Sequence, residues 1–350
     1  MNTSPPPRTM SEHSSHPADP GISTDNSAGG ASTEGTGKLP VVLVSSLPFS
    51  ASTLVGMILG SHPDISFLGE TDLLMRRRPD GSWRHRKFCS ICQDQDGEKC
   101  PVWSGELVQE LRDHPDELHP RLARHLAAQN LGAKILVDSC KDEDWWRSRL
   151  EAPGIQPIVL HVSKAPEAYI SSLLTRHSLR RPVELIALDW AQGNLALRQA
   201  ALERGLVYHS VRYDDLVLRI REVLADLGRL LGFEPTDDQE EFWRHPQHNL
   251  RGNPGTASHL DAQRAESEPG VNKELYRQHH RTIFLDEKWK KVLSPRQVDR
   301  IHAMPAVRRA CRILGYSHPI RTGGSPLAFR LAGHLVEPPL VLLRRLRHGG

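Results

Sequence analysis

Residues 41–59 constrain the fold of this chain more than any other stretch. Four apolar residues, Val41 to Val44, run into a loop of small residues from Ser45 to Ala51. Ser52, Thr53, Leu54, Val55, Met57, Ile58 and Leu59 follow and read as a helix with a capped start. An unbroken apolar run of that length reads as a buried strand. A strand that enters a helix through small residues aims backbone N–H groups and the positive end of the helix dipole at one spot. Such a spot suits a phosphate or sulfate group, and Ser45, Ser46, Ser50, Ser52 and Thr53 add hydroxyl donors. The nucleoside-triphosphate version, GxxxxGK[ST], needs a glycine and a lysine that this loop lacks, so it does not read as an ATP or GTP site. An ordinary strand-to-helix turn is the plain alternative.

The same grammar recurs downstream. Lys134 to Asp138, Pro157 to Val162 and Leu206 to Val211 read as strands. Helices are predicted from the end of the third strand through about residue 176, over 183–204, and from the fourth strand through Leu231. Segment 104–130 reads as helical, broken near Pro115 and Pro120. Strands alternating with helices predict an α/β chain with a central parallel sheet flanked by helices. Ligands of such folds sit at the carboxyl ends of the strands. Cations and hydroxyls cluster at those ends here: Ser45 to Thr53, Asp138 to Lys141, Lys164 to Ser172, and Tyr213. Past residue 235 the chain turns irregular. A long loop is expected over 244–272, then Phe284-Leu-Asp-Glu-Lys-Trp-Lys290, then a last helix over 295–314 stopped by Gly315.

Residues 1–38 are rich in Pro, Ser, Thr and Gly and lack the apolar core of a signal peptide, so a disordered tail is expected there. The domain is expected over 39–316, with a cysteine-containing insertion at about 76–103. A second tail, 317–350, has Leu-rich and Arg-rich stretches that suit at most a weak membrane-surface contact. A net charge of only +3 argues against a nucleic-acid partner. Five cysteines give no even disulfide framework, so a reducing, cytoplasmic setting is expected. Cys89-x2-Cys92-x7-Cys100, with His85, has the composition of a zinc site. The spacing is asymmetric and lacks a second CxxC pair, so thiols without a metal are the favoured reading.

Taken together, the strand ends resemble the sulfotransferase family in its broad bacterial form, over about residues 40–316. The resemblance implies a P-loop-NTPase-like sulfotransferase fold and transfer of a sulfuryl group from 3′-phosphoadenosine-5′-phosphosulfate (PAPS) to a hydroxyl or amine of a small-molecule, lipid or glycan acceptor. Pro48-Phe-Ser-Ala-Ser-Thr-Leu54 is similar to the family's PRSGTTL loop, which implies that Ser50, Ala51, Ser52, Thr53 and Leu54 hold the 5′-phosphosulfate. Val162-Ser-Lys-Ala-Pro-Glu-Ala-Tyr-Ile-Ser-Ser172 is similar to VRDPRAVAxS, which puts Lys164 and Ser172 on the 3′-phosphate. Val211-Arg-Tyr-Asp-Asp-Leu216 resembles VRYEDL, with Tyr213 beside the adenine. Val137-Asp-Ser-Cys-Lys141 resembles VDSSK, with Lys141 facing the leaving phosphate or the acceptor. Gly252-Asn-Pro254 resembles the family's GNP loop, and Arg251 adds a cation. Phe49 stands where the family has a basic residue, Ala51 where it has glycine, and Glu167 where it has a second arginine.

Sulfuryl transfer, like phosphoryl transfer, asks the protein to position two oxygens, stabilise the leaving one and take a proton. The step Phe67-Leu-Gly-Glu70 resembles a family branch in which the glutamate is the base, so Glu70 is the expected base and His62 its rival. A carboxylate in that role works best when partial burial raises its pKa. No metal is expected in the reaction. Phe49 and Glu167 leave a nucleotide-binding relative without activity as an alternative, and a small-molecule kinase of related fold is another.

Overall fold

In the computed structural model the described residues are 37–83, 89–93, 99–132, 134–141, 143–177, 181–268 and 270–317. His85, nearly all of the N-terminal tail and the C-terminal tail from residue 318 lie outside them. The chain runs β1 (Leu39–Ser45), α1 (Ser52–Leu59), β2 (Ile65–Gly69), α2 (Gly105–Asp113), α3 (Leu118–Ala128), β3 (Ile135–Asp138), α4 (Glu143–Leu150), β4 (Ile155–Ser163), α5 (Pro166–His177), α6 (Val183–Glu203), β5 (Val207–Arg212), α7 (Tyr213–Leu218) and α8 (Ile220–Leu231). Five helices complete it: α9 (Pro254–Ala257), α10 (Gly270–Gln278), α11 (Trp289–Val292), α12 (Pro295–Ala303) and α13 (Pro305–Leu314).

The five strands form one parallel sheet in the order β2-β3-β1-β4-β5. β1 is central, with Val42 opposite Val137 on one side and Ile158 on the other. Its apolar run is unbroken because both faces are covered. Val42 and Val44 join the core under α1 and α8, while Val41 and Leu43 join the core under α2 and α3. Each such side chain contributes about 1.5–3 kcal/mol when fully buried. A third cluster packs α5 and α6 against α12 and α13.

Three expectations are corrected. The sequence reading has four strands and the fold has five, because Ile65 to Gly69 is short and follows directly on His62-Pro63. Pro120 does not break α3, since it sits in the first turn, where its missing N–H has no carbonyl to serve. The last helix is two helices, parted at Met304 because Pro305 opens the second. No helix among the described residues is long and apolar enough to cross a membrane.

Two buried histidines make the fold acid-sensitive. His161 on β4 has no exposed surface and lies between the Tyr208 hydroxyl at 2.8 Å and Asn194 Oδ1 at 3.0 Å. Burial pushes its pKa down to about 4. His259 is also held at about 4, by burial and then by the neighbouring His280 and His279. The unfolded chain takes up protons near pH 6.5, so this stability is complete above that pH and is lost as the pH falls through about 4. Each histidine accounts for a loss on the order of 3 kcal/mol. Urea unfolding across that range measures the slope, and His161→Gln flattens its share.

Candidate functional site

The first part of the site is the turn from β1 into α1. Phe49 (φ 65°) and Ala51 (φ 72°) both lie in the left-handed region, and Ala51 holds the N-cap position without a side-chain cap bond. The capping expected of Ser52 and Thr53 is thus absent, and Ser52 is the first helical residue. The first N–H groups of α1 have no carbonyl within the helix to bond. Ser46 Oγ and Ser50 Oγ are buried with no hydrogen-bond partner among the described residues. Donors held in this way suit the oxygens of an anion. Ala51 is strained here because its Cβ crowds the backbone at positive φ. Ala51→Gly is therefore expected to raise stability by about 1 kcal/mol, read from denaturant midpoints at constant m-value.

A segment from the far end of the chain lies over this turn. Asn253 N–H donates to Thr53 Oγ1 at 3.0 Å, and the Asn253 side chain caps α9 through Gly255 N–H. A Cβ on Gly252 would come within 2.7 Å of Thr53 Cγ2. Leu250 N–H donates to Leu68 O on β2. Gly69 (φ 81°) makes room, since a Cβ there would meet Leu250 N and Arg251 O at 2.8 Å. Arg251 is thereby brought to the end of β2.

Glu70 follows β2 immediately. Lys141 Nζ, just past β3, lies 2.6 Å from its Oε1, and Arg251 Nε lies 3.8 Å from its Oε2. The Glu70 side chain is partly buried, at 14% exposure. The end of β3 is fixed by Asp138, which is fully buried. It accepts from the Thr71 hydroxyl, from His119 Nε2 at 3.1 Å and from Cys140 N–H at 3.1 Å. Burial alone would raise its pKa, but these partners outweigh it and hold the carboxyl below its usual range.

The ends of β4 and β5 carry the third part. Lys164 Nζ lies 3.3 Å from Ser172 Oγ, 2.6 Å from Asp286 Oδ2 and 4.8 Å from the centre of the Tyr213 ring. Trp190 Nε1 donates to the Lys164 carbonyl and pins the backbone. Lys288 Nζ approaches the same Asp286 oxygen at 2.8 Å. Burial would raise the Asp286 pKa, but the two ammonium charges hold it at about 2. The Tyr213 hydroxyl donates to Phe284 O at 2.5 Å and accepts from Asp286 N–H at 3.1 Å. Tyr213 has its pKa raised by burial, then by Asp286. A small cavity of about 50 Å³ joins the first and third parts, lined among others by Phe49, Ala51, Leu54, Lys164, Tyr213 and Asn253, and Glu70, Lys141 and Arg251 are not in its lining.

His62 does not belong to this constellation. It precedes β2, at the opposite end of that strand from Glu70. Its Nδ1 accepts from Asp64 N–H, so its Nε2 carries the proton donated to Glu234 O at 3.0 Å. Both ring nitrogens are spent on structure. Glu167 pairs with His302 at 3.1 Å and ties α5 to α12. Trp103 and Trp190 are fully buried and Trp146 is 4% exposed, so these rings pack the cores.

The sequence reading assigned no role to Asp286 and Lys288, whose only signal was a dense charge run after two apolar residues. It also missed Arg176, whose guanidinium lies 5.4 Å from the centre of the Phe49 ring and pairs with Glu268. A cation thus stands over the Phe49 ring in the turn between β1 and α1.

No protein-family model matches the chain, and no curated protein is similar to it in sequence. Similarity appears at the level of solved structures. The sulfotransferase domain from the curacin biosynthetic pathway aligns with a TM-score of 0.54 and 19% identity, covering 80% of this chain and 99% of that domain. The sulfotransferase domain from the Synechococcus PCC 7002 olefin synthase aligns with a TM-score of 0.50 and 20% identity, covering 82% of this chain and 98% of that domain. The chain therefore has a sulfotransferase-type α/β fold.

Proposed function

We propose that the protein is a PAPS-dependent sulfotransferase of the cytoplasm, with a hydroxyl- or amine-bearing acceptor. The observation that carries this reading is the shared cavity: the anion-suited turn of β1 and α1 and the Lys164 ammonium line the same crevice at the carboxyl ends of the sheet. A doubly anionic adenosine needs two such ends within one molecule's reach. The buried hydroxyls of Ser46 and Ser50, without protein partners among the described residues, fit the 5′ end. Lys164 and Ser172 fit the 3′ end as point charge and hydroxyl donor.

Each residue then has one task. Glu70 takes the acceptor's proton as the acceptor oxygen or nitrogen bonds to sulfur and the bond from sulfur to the phosphate oxygen breaks. Lys141 holds Glu70 in place and offers its charge to the departing oxygen, together with the first amides of α1. Arg251 closes the far side of Glu70. Sulfuryl transfer by this set needs no metal.

The grip of Asp286 on Lys164 favours one second reading, a nucleotide-binding relative without turnover. Thermal shift followed by an acceptor panel tests both. Stabilisation by adenosine 3′,5′-bisphosphate but not by ATP with magnesium is expected, and turnover separates the enzyme from the relative. Stabilisation by ATP instead would replace the proposal with a kinase, and stabilisation by neither would remove it.

A further inference from the structure

Three cysteines and a histidine meet beside the site, in a group that the reaction does not use. Cys89, Cys92 and Cys100 come from the chain between β2 and α2. His248 arrives 148 residues after Cys100. The three sulfurs and a ring nitrogen all lie within 4.8 Å of one another. His248 Nδ1 is 3.3 Å from Cys92 Sγ and 3.6 Å from Cys100 Sγ. Zinc–sulfur bonds near 2.3 Å and zinc–nitrogen bonds near 2.0–2.1 Å in a tetrahedron give ligand-to-ligand edges of about 3.5–3.8 Å. The nitrogen-to-sulfur edge is the shorter one, about 3.55 Å, and the two distances of 3.3 and 3.6 Å lie on either side of it.

The surroundings point the same way. Cys92 N–H donates to Cys89 Sγ at 3.4 Å, and Trp103 N–H donates to Cys100 Sγ at 3.4 Å. Each is an amide three residues beyond its cysteine, and N–H groups so placed support a thiolate that ligates a metal. Trp103 Nε1 donates to the His248 carbonyl at 2.7 Å, which fixes the backbone that delivers the imidazole. Cys89 and Trp103 are fully buried and Cys100 is 5% exposed. Among the described residues no disulfide joins these thiols. Three thiols and one imidazole form a donor set typical of structural zinc.

We propose that Cys89, Cys92, Cys100 and His248 hold one structural zinc ion. The ion has four protein ligands and no open position, so it takes no part in the chemistry. Its effect is to fasten the cysteine segment to the segment that carries Arg251 and Asn253. Ser90, between the first two ligands, already donates from its N–H and its hydroxyl to Asn249 O, each at 2.8 Å. The sequence reading takes His85 as the candidate fourth ligand and favours thiols without a metal. His85 lies outside the described residues, and the histidine that meets the three cysteines is His248, which is remote in sequence.

The test is the metal content of the full chain purified without chelators, measured by plasma mass spectrometry. About one zinc per chain is expected. Exchange with cobalt is expected to give the intense visible absorption of tetrahedral thiolate coordination. His248→Ala and Cys92→Ser are expected to lose the ion while circular dichroism reports a folded sheet. Should either variant fail to fold, the metal content and cobalt spectrum of the unaltered chain decide alone. Folded protein with no stoichiometric zinc, stoichiometric iron in its place, or a disulfide within the group would overturn the proposal, as would folded variants that keep their zinc.

Discussion

Glu70→Gln lowers turnover by ~10²–10⁴-fold, the usual worth of a positioned general base. Binding of adenosine 3′,5′-bisphosphate is expected to stay as it was. The amide keeps the shape of the side chain and can still accept from Lys141, which lies 2.6 Å away in the native protein. What it cannot do is take a proton. Single-turnover rates, set beside calorimetric titration with the bisphosphate, separate the two roles. Unchanged turnover would remove Glu70 from the mechanism. Loss of binding together with turnover would make it a strut that holds Lys141 and Arg251.

Lys164→Met weakens the bisphosphate by about 10²–10³-fold, as expected for truncating one partner of a desolvated charged contact. Methionine fills a similar volume, and the site is already apolar on the Tyr213 side. Affinity for adenosine 5′-phosphate is expected to change little, since that molecule lacks the group assigned to Lys164. Equal losses for both nucleotides would cancel the assignment of this lysine to the 3′ end. Lys288 remains to balance Asp286 in the variant, so the fold is expected to persist, which thermal unfolding checks.

Much of this arrangement could be read from the chain, for a physical reason. A strand covered on both faces has to be apolar throughout, as Val41 to Val44 are, and its loop has to be small where a helix starts against it. Those demands act on neighbouring residues, so they are visible in sequence. β2 escaped because five residues are too few to show a period and its entry follows a His-Pro step. The strain at Ala51 escaped because an alanine says nothing of φ. Placement across the chain was the real limit. His62 resembled a base until its two nitrogens were traced to Asp64 and Glu234. Asp286 looked like one charge among many until Lys164 was found 2.6 Å away. His248 gave no sign of the cysteines it meets.

The Tyr213 hydroxyl grips the chain at two points beside the crevice, Phe284 O and Asp286 N–H. A space of about 50 Å³ admits a water or two, whereas pockets for drug-sized ligands begin at about 300 Å³. On the proposed function, a bisphosphate would therefore need the stretch from Phe284 to Asp286 to move outward. That stretch carries the carboxylate held 2.6 Å from Lys164 Nζ, so the movement that makes room would also be expected to free the ammonium.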